Sequence, residues 1–285
     1  MRHPIFITLL AGSVHLLVGC EGSSQASVTR AIDSVTSVDQ QNLADLMLSA
    51  GSPEEAVAYF SAQIEQDPNN IRNLRGLARS LVRAGRVSEA VPVWRNVIAH
   101  PDSELDDNVM LADAQIRAND WAQAEQTLNA IPPTHETFDR YRLEAMIADS
   151  KNQWDRADHF YETAAGLTTR PSGVFNNWGF SKLTRGNPRE AERMFMEALK
   201  HDPDLFTAKN NLALARAGQG NYSLPMVRMT QQERAILLYT MAIAAVRKGD
   251  VTIGRTLLEE AIDTHPQHYD EAVRALRALD SGRTG

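Results

Sequence analysis

Small and apolar residues recur along this chain with a long period laid over the short helical one. Gly51, Gly85, Asn119, Asn152, Gly186, Gly220 and Gly249 stand 34, 34, 33, 34, 34 and 29 residues apart. Aligning the chain on them brings alanines and aromatics into register, which scattered glycines would not do. Ser37 to Asn70 carries Leu43, Ala44, Ala56, Phe60 and Pro68, and Ile71 to Glu104 carries Leu77, Ala78, Ala90 and Trp94. The clearest copy, Ser172 to Leu205, carries Trp178, Gly179, Ala191, Phe195, Ala198 and Pro203. The pattern predicts pairs of helices, each joined at a Gly or Asn whose left-handed conformation ends the first helix. Small residues let the paired helices approach, the aromatic fills the gap to the next pair, and proline ends the second helix.

Two copies depart from the pattern yet keep its register. Leu105 to Thr137 contains Pro132 and Pro133, which cut its second helix short and account for the 33-residue step. Phe138 to Pro171 has Glu144 where an apolar residue is expected. A sixth copy opens with Asn210, Asn211, Leu212 and Ala213, but Pro225 falls where its second helix should carry alanine, so residues 218–234 read as an irregular connector. Residues 235–280 resume with Met241, Ala242, Gly249, Gly254, Leu258, Ala261 and Pro266. They close on one more helix, whose Arg274, Arg277 and Asp280 supply a polar cap. The large-then-small pair, the turn, the alanines, the aromatic and the proline resemble the tetratricopeptide repeat (TPR) family. That resemblance implies an all-α fold, a right-handed superhelical TPR solenoid over residues 37–217, built for binding.

Composition narrows the partners. The 285 residues are 43% apolar with a net charge of -7, so no global positive field attracts nucleic acid. No apolar run reaches the ~20 residues of a spanning helix. Residues 1–20, with Arg2, an apolar stretch from Ile5 to Val18 and then Leu17-Val18-Gly19-Cys20, read as a cleaved export signal. This ending resembles the bacterial lipobox, which implies that Cys20, the sole cysteine, is acylated and becomes the first residue of the mature protein. Glu21 in place of Asp after it implies, by the same resemblance, lipid anchoring at the periplasmic face of the outer membrane. Residues 21–36 read as a polar tether reaching at most ~55 Å.

Candidate chemistry is sparse. The sequence contains no His-Glu-x-x-His, Gly-x-Ser-x-Gly or Walker-type loop. His265 and His268 flank Pro266 without a third ligand nearby, and Asp106-Asp107 and Glu259-Glu260 point to different parts of a helix surface. Trp94, Trp121, Trp154 and Trp178 fall at packing positions. No catalytic residue, metal site or cofactor is expected. The TPR resemblance implies instead that positions 2, 5, 9 and 13 of each unit face a groove. In the unit beginning at Ile71 these are Arg72, Arg75, Arg79 and Arg83, four guanidiniums along one helix face. They either grip an acidic partner segment or pair with carboxylates such as Asp45 and Asp113. Later units place Asn176, Phe180, Asn210 and Leu214 there, with Asn177 and Asn211 beside them. In the family such asparagines hold a peptide backbone; by their chemistry they serve equally to bond a neighbouring turn.

The closing segment, Thr230 to Tyr239 (TQQERAILLY) with Lys248-Gly249-Asp250-Val251 and Leu257 to Ala261 (LLEEA), is similar to TadD-type lipoproteins of tight-adherence (Flp) pilus systems. The resemblance implies a non-enzymatic adaptor that assists assembly of the pilus machine, its secretin included. The alternative is an adaptor lipoprotein for peptidoglycan enzymes or for outer-membrane protein insertion.

Overall fold

The computed structural model describes residues 42–281, so Cys20 and the tether 21–36 lie outside the described residues. The chain forms two compact units, one ending at Arg86 and one beginning at Val87. In the first, a helix containing residues 42–49 (α1) precedes α2 (Pro53–Gln66) and α3 (Ile71–Arg83). The second holds α4 (Val87–Ile98), α5 (Leu105–Arg117), α6 (Trp121–Asn129), α7 (Phe138–Ser150), α8 (Trp154–Gly166), α9 (Ser172–Thr184) and α10 (Pro188–His201). It continues through α11 (Phe206–Gly218), α12 (Gln231–Lys248), α13 (Val251–Thr264) and α14 (Asp270–Ser281). No strand occurs among the described residues.

The turns explain the period. Gly85, Asn119, Asn152, Gly186, Gly220 and Gly249 all have positive φ, between 57° and 94°. After each, the next backbone N–H reaches back five residues, as from Asp120 to the Gln115 carbonyl at 2.8 Å and from Asn187 to the Lys182 carbonyl at 2.9 Å. This is the Schellman closure, which satisfies carbonyls that the helix end leaves open. Gly51 corrects the expectation: its φ is not left-handed, and a Cβ there would lie 2.9 Å from the Met47 carbonyl oxygen. Close approach, not handedness, is what calls for glycine at that turn. At the other end of the hairpins, α2, α10 and α13 stop two residues before Pro68, Pro203 and Pro266, whose rings forbid continuation.

Within the second unit each helix packs on the next in chain order. The first helices of successive pairs also touch, α5 with α7, α7 with α9 and α9 with α11, which makes one continuous layer. Ala112, Ala124, Ala145, Ala157, Ala191 and Ala213 are fully buried where neighbouring helices approach. Phe195, also fully buried, presses so closely on Gly179 that a Cβ there would stand 2.6 Å from its ring. Pro132 and Pro133 leave α6 only nine residues long. Glu144 pairs with Arg140 at 2.8 Å, whose guanidinium also donates to the Pro132 and His135 carbonyls.

No helix lies between α11 and α12. Residues 219–230 instead insert Tyr222, Leu224 and Met229 into the core shared by α11, α12 and α13, and Val227 packs against the α10–α11 core. The N-terminus of α12 carries a capping box, Thr230 and Glu233 each bonding the other's backbone N–H.

The Gly179 contact yields a stability test. Gly179→Ala should destabilise the chain by about 1–2 kcal/mol, because overpacking against a buried ring outweighs the helix propensity of alanine. Gly173→Ala, in the same helix with open space around it, should be neutral or stabilising. Urea midpoints of the two variants measure this, and equal midpoints would refute the packing account.

Candidate functional site

The first-helix layer of the second unit frames a cavity of about 500 Å³. α7 contributes Met146 and Asp149, α9 contributes Asn176, Asn177, Phe180 and Ser181, and α11 contributes Phe206, Asn210 and Asn211. Trp121 and Tyr161 reach in from α6 and α8. Phe180 is 51% exposed, a large apolar side chain held open to solvent.

Side-chain bonds tie the helices of this layer together across the repeat. Asn211 donates its amide to Asn176 Oδ1 at 3.1 Å, the Thr240 hydroxyl donates to Asn210 Oδ1 at 2.7 Å, and Asn177 contacts Met146 Sδ at 3.7 Å. Asn176 and Asn210 are thus engaged through oxygen, and no acceptor among the described residues takes their NH₂ groups. The arrangement leaves amide donors beside an exposed aromatic, the chemistry that holds a main-chain carbonyl next to an apolar side chain.

Two carboxylates govern the electrostatics. Asp149 accepts from Ser181 Oγ at 2.7 Å and from the Tyr161 hydroxyl at 2.9 Å, but burial outweighs these bonds and pushes its carboxyl above the usual range. The Tyr161 hydroxyl is in turn pushed well up by burial and by the adjacent Asp149 charge. Asp158 on α8 lies in the opposite situation. Burial acts to raise it, yet donors from Lys182 at 2.8 Å, Trp178 Nε1 at 2.6 Å and Arg185 at 2.6 Å hold it below its usual range. Trp178 stacks on Tyr161 and Phe175, so this cluster fixes the wall of the cavity.

The predicted site residues separate into two places. Asn176, Asn177, Phe180, Asn210 and Asn211 line the one cavity. Arg72, Arg75 and Arg79 line a different one, about 330 Å³, within the first unit, together with Asp45, Asn70 and Asn73. Arg83 is occupied otherwise. Its guanidinium donates to the Leu48 and Gly51 carbonyls at 2.8 Å and to Met47 at 3.2 Å, closing the end of α1. Asp113, a carboxylate considered for the arginine stripe, pairs with Arg117 and Arg142. Of the tryptophans, Trp94 is buried in the core, Trp121 lines the cavity, and Trp154 lies under the Arg185 guanidinium. His268 pairs with Asp270 at the surface and His265 stacks on Tyr269.

Sequence reasoning missed Met146, Asp149, Trp121 and Phe206. Met146 is position 9 of the unit beginning at Phe138, so the groove positions applied to that unit would have found it. Asp149 falls at position 12, between the face positions, and only its contacts reveal it.

Comparison with known proteins agrees with this architecture. Two tetratricopeptide repeat models match, one over residues 47–93 and the other over residues 75–135 and 177–224. The hairpins within those residues are tetratricopeptide repeats. The TPR array superposes on the human IFIT1 dimer with m7Gppp-AAAA (TM-score 0.60, 17% identity, 80% of this chain and 58% of that one). It also superposes on Cut9-Hcn1 of the APC/C (0.59, 13%, 83% and 48%) and on TTC0263, a TPR protein of Thermus thermophilus (0.54, 17%, 61% and 95%). These likenesses concern the fold alone. In sequence the TPR region is 28% identical over 131 residues to a tetratricopeptide repeat and J domain-containing co-chaperone of Fusarium oxysporum f. sp. lycopersici. It is 26% identical over 159 residues to a protein of Escherichia coli O157:H7 provisionally named cellulose synthase operon protein C. These matches take in 43% and 52% of this chain but only 25% and 14% of those proteins' lengths.

Asp158 gives a pH test. Its folded-state pKa is depressed, so the ionised form contributes stability above the unfolded value near 3.8, and this is lost as pH falls through the folded value. Denaturation of wild type and Asp158→Asn from neutral pH to about pH 3 should show a gap that is constant above about pH 5 and narrows below about pH 4. Parallel curves would remove Asp158 from the stabilising cluster.

Proposed function

We propose that the chain is a non-enzymatic adaptor whose TPR groove along α7, α9 and α11 holds a polypeptide segment. The observation that carries this reading is the cavity in which half-exposed Phe180 stands among Asn176, Asn177, Asn210 and Asn211. An exposed aromatic flanked by amides costs solubility unless a partner covers it. The likeness to a TPR co-chaperone fits a role in holding another polypeptide. The arginine-lined cavity of the first unit, with Arg72 and Arg79 exposed, is a second contact point suited to an acidic segment.

The adaptor is anchored by acylated Cys20 to the periplasmic face of the outer membrane, and its client belongs to a tight-adherence pilus machine, the secretin being the foremost candidate. Support for this part is the lipobox and the TadD-like closing segment.

Two experiments separate the parts. Labelling the full chain with radioactive palmitate in a lipoprotein-processing bacterium should mark wild type but not Cys20→Ser; equal labelling would reject the anchor. Deleting the gene should abolish secretin multimers in the outer membrane, and wild type should restore them. Phe180→Ala/Asn211→Ala, with unchanged helicity, should restore them at least about tenfold less well, the loss of one binding hot spot. Normal multimers in the deletion strain would reject the pilus role, and full rescue by the double variant would take the groove out of it.

A further inference from the structure

The cavity along α7, α9 and α11 has a charge of its own. Among the described residues Asp149 is its one carboxylate, and no lysine, arginine or histidine lines it. The cations on the neighbouring helix faces pair elsewhere: Arg142 with Asp113 and Asp139, and Lys182 and Arg185 with Asp158, so Arg185 attracts Asp149 only from a distance. Among the described residues no ion pair joins Asp149; its contacts are the hydroxyls of Ser181 and Tyr161. A carboxylate offers about four lone-pair directions, and two neutral donors leave acceptor capacity directed at whatever fills the cavity. The remaining walls include Trp121, Phe180 and Phe206. Aromatic walls beside a carboxylate suit a cationic head on an alkyl stem, since the ring quadrupole attracts the charge and the stem packs on the ring. An acidic segment would bring like charge into a poorly solvated place.

We infer that this groove recognises its peptide through a basic side chain, lysine or arginine, seated against Asp149 with its stem between Phe180 and Phe206. The inference rests on the peptide-groove reading above and reverses, for this cavity, the acidic preference assigned to the arginine stripe of the first unit. The raised carboxyl pKa agrees, because burial outweighs the two hydroxyl bonds and the distant attraction of Arg185. Such a residue contributes stability below its unfolded pKa and loses it as pH rises through the folded one, so at neutral pH Asp149 is a folding liability that a cationic ligand relieves.

The test uses the full chain, a random dodecapeptide phage library and the variant Asp149→Asn, which keeps the size and an acceptor for one of the two hydroxyls, the other turning to accept from the new amide. Sequences enriched on wild type should carry Lys or Arg near apolar residues. A fluorescent copy of the leading peptide should bind Asp149→Asn at least about tenfold more weakly. Replacing its basic residue by norleucine should give a similar loss on wild type and little further loss on the variant, the signature of one shared interaction. Enriched peptides without a basic residue, or norleucine copies binding wild type within about twofold, would overturn the basic anchor while leaving the groove in place. The norleucine comparison needs no variant and stands even if Asp149→Asn misfolds. Absence of any enriched peptide would overturn both the anchor and the groove reading.

Discussion

Close approach of paired helices at alanine and glycine is the constraint on which the other features of this protein depend. With a methyl group or a hydrogen at the crossing, aromatic residues one helix away can fill the space that remains, as the Phe195 ring does over Gly179 and the Phe60 ring over Gly76. Burial of this kind is local: each hairpin completes its core only against its neighbours. The six left-handed turns then end their helices alike, each closing through the same five-residue backbone bond.

The sixth repeat shows how the array survives the loss of a helix. With no second helix after α11, α12 packs directly on α11, and the apolar residues of the connector fill the gap. Lys209 stands where Tyr141 and Phe175 stand in earlier repeats, and it is almost wholly buried. Its ammonium reaches Glu233 at 3.0 Å, the same carboxylate that caps α12 through the Thr230 backbone N–H at 2.7 Å. Burial raises Glu233, but the Thr230 bond and Lys209 outweigh it and hold the carboxyl below its usual range. A buried lysine is tolerable only with such a partner, so the pair fixes where α12 begins relative to α11.

What was legible in the sequence was what the repeat enforces. The small residues, the left-handed Asn119 and Asn152, the shortened α6 and the proline stops all follow from steric rules that act within a few residues. Gly51 misled because glycine answers two needs, positive φ and close approach, and the letter does not say which. The candidate site was legible as a face but not as a composition. The asparagines and Phe180 repeat at groove positions, whereas Asp149 and Trp121 enter the cavity through tertiary packing. Arg83 matched the stripe by spacing, yet three open carbonyls at the end of α1 lay nearer than any ligand.

Function in a repeated array is carried by departures from the repeat. The alanines, turn residues and core aromatics that recur at 34-residue steps are explained by packing and need no ligand. Asp149 and the half-exposed Phe180 satisfy no packing rule, and each carries a folding cost that the array does not recover internally. Two carboxylates of one repeat illustrate the distinction: Asp158 lies among charged donors and stabilises the wall, while Asp149 bonds two neutral hydroxyls and feels Arg185 only from a distance. The same two helices therefore hold a carboxylate whose burial its donors outweigh and one whose burial they do not.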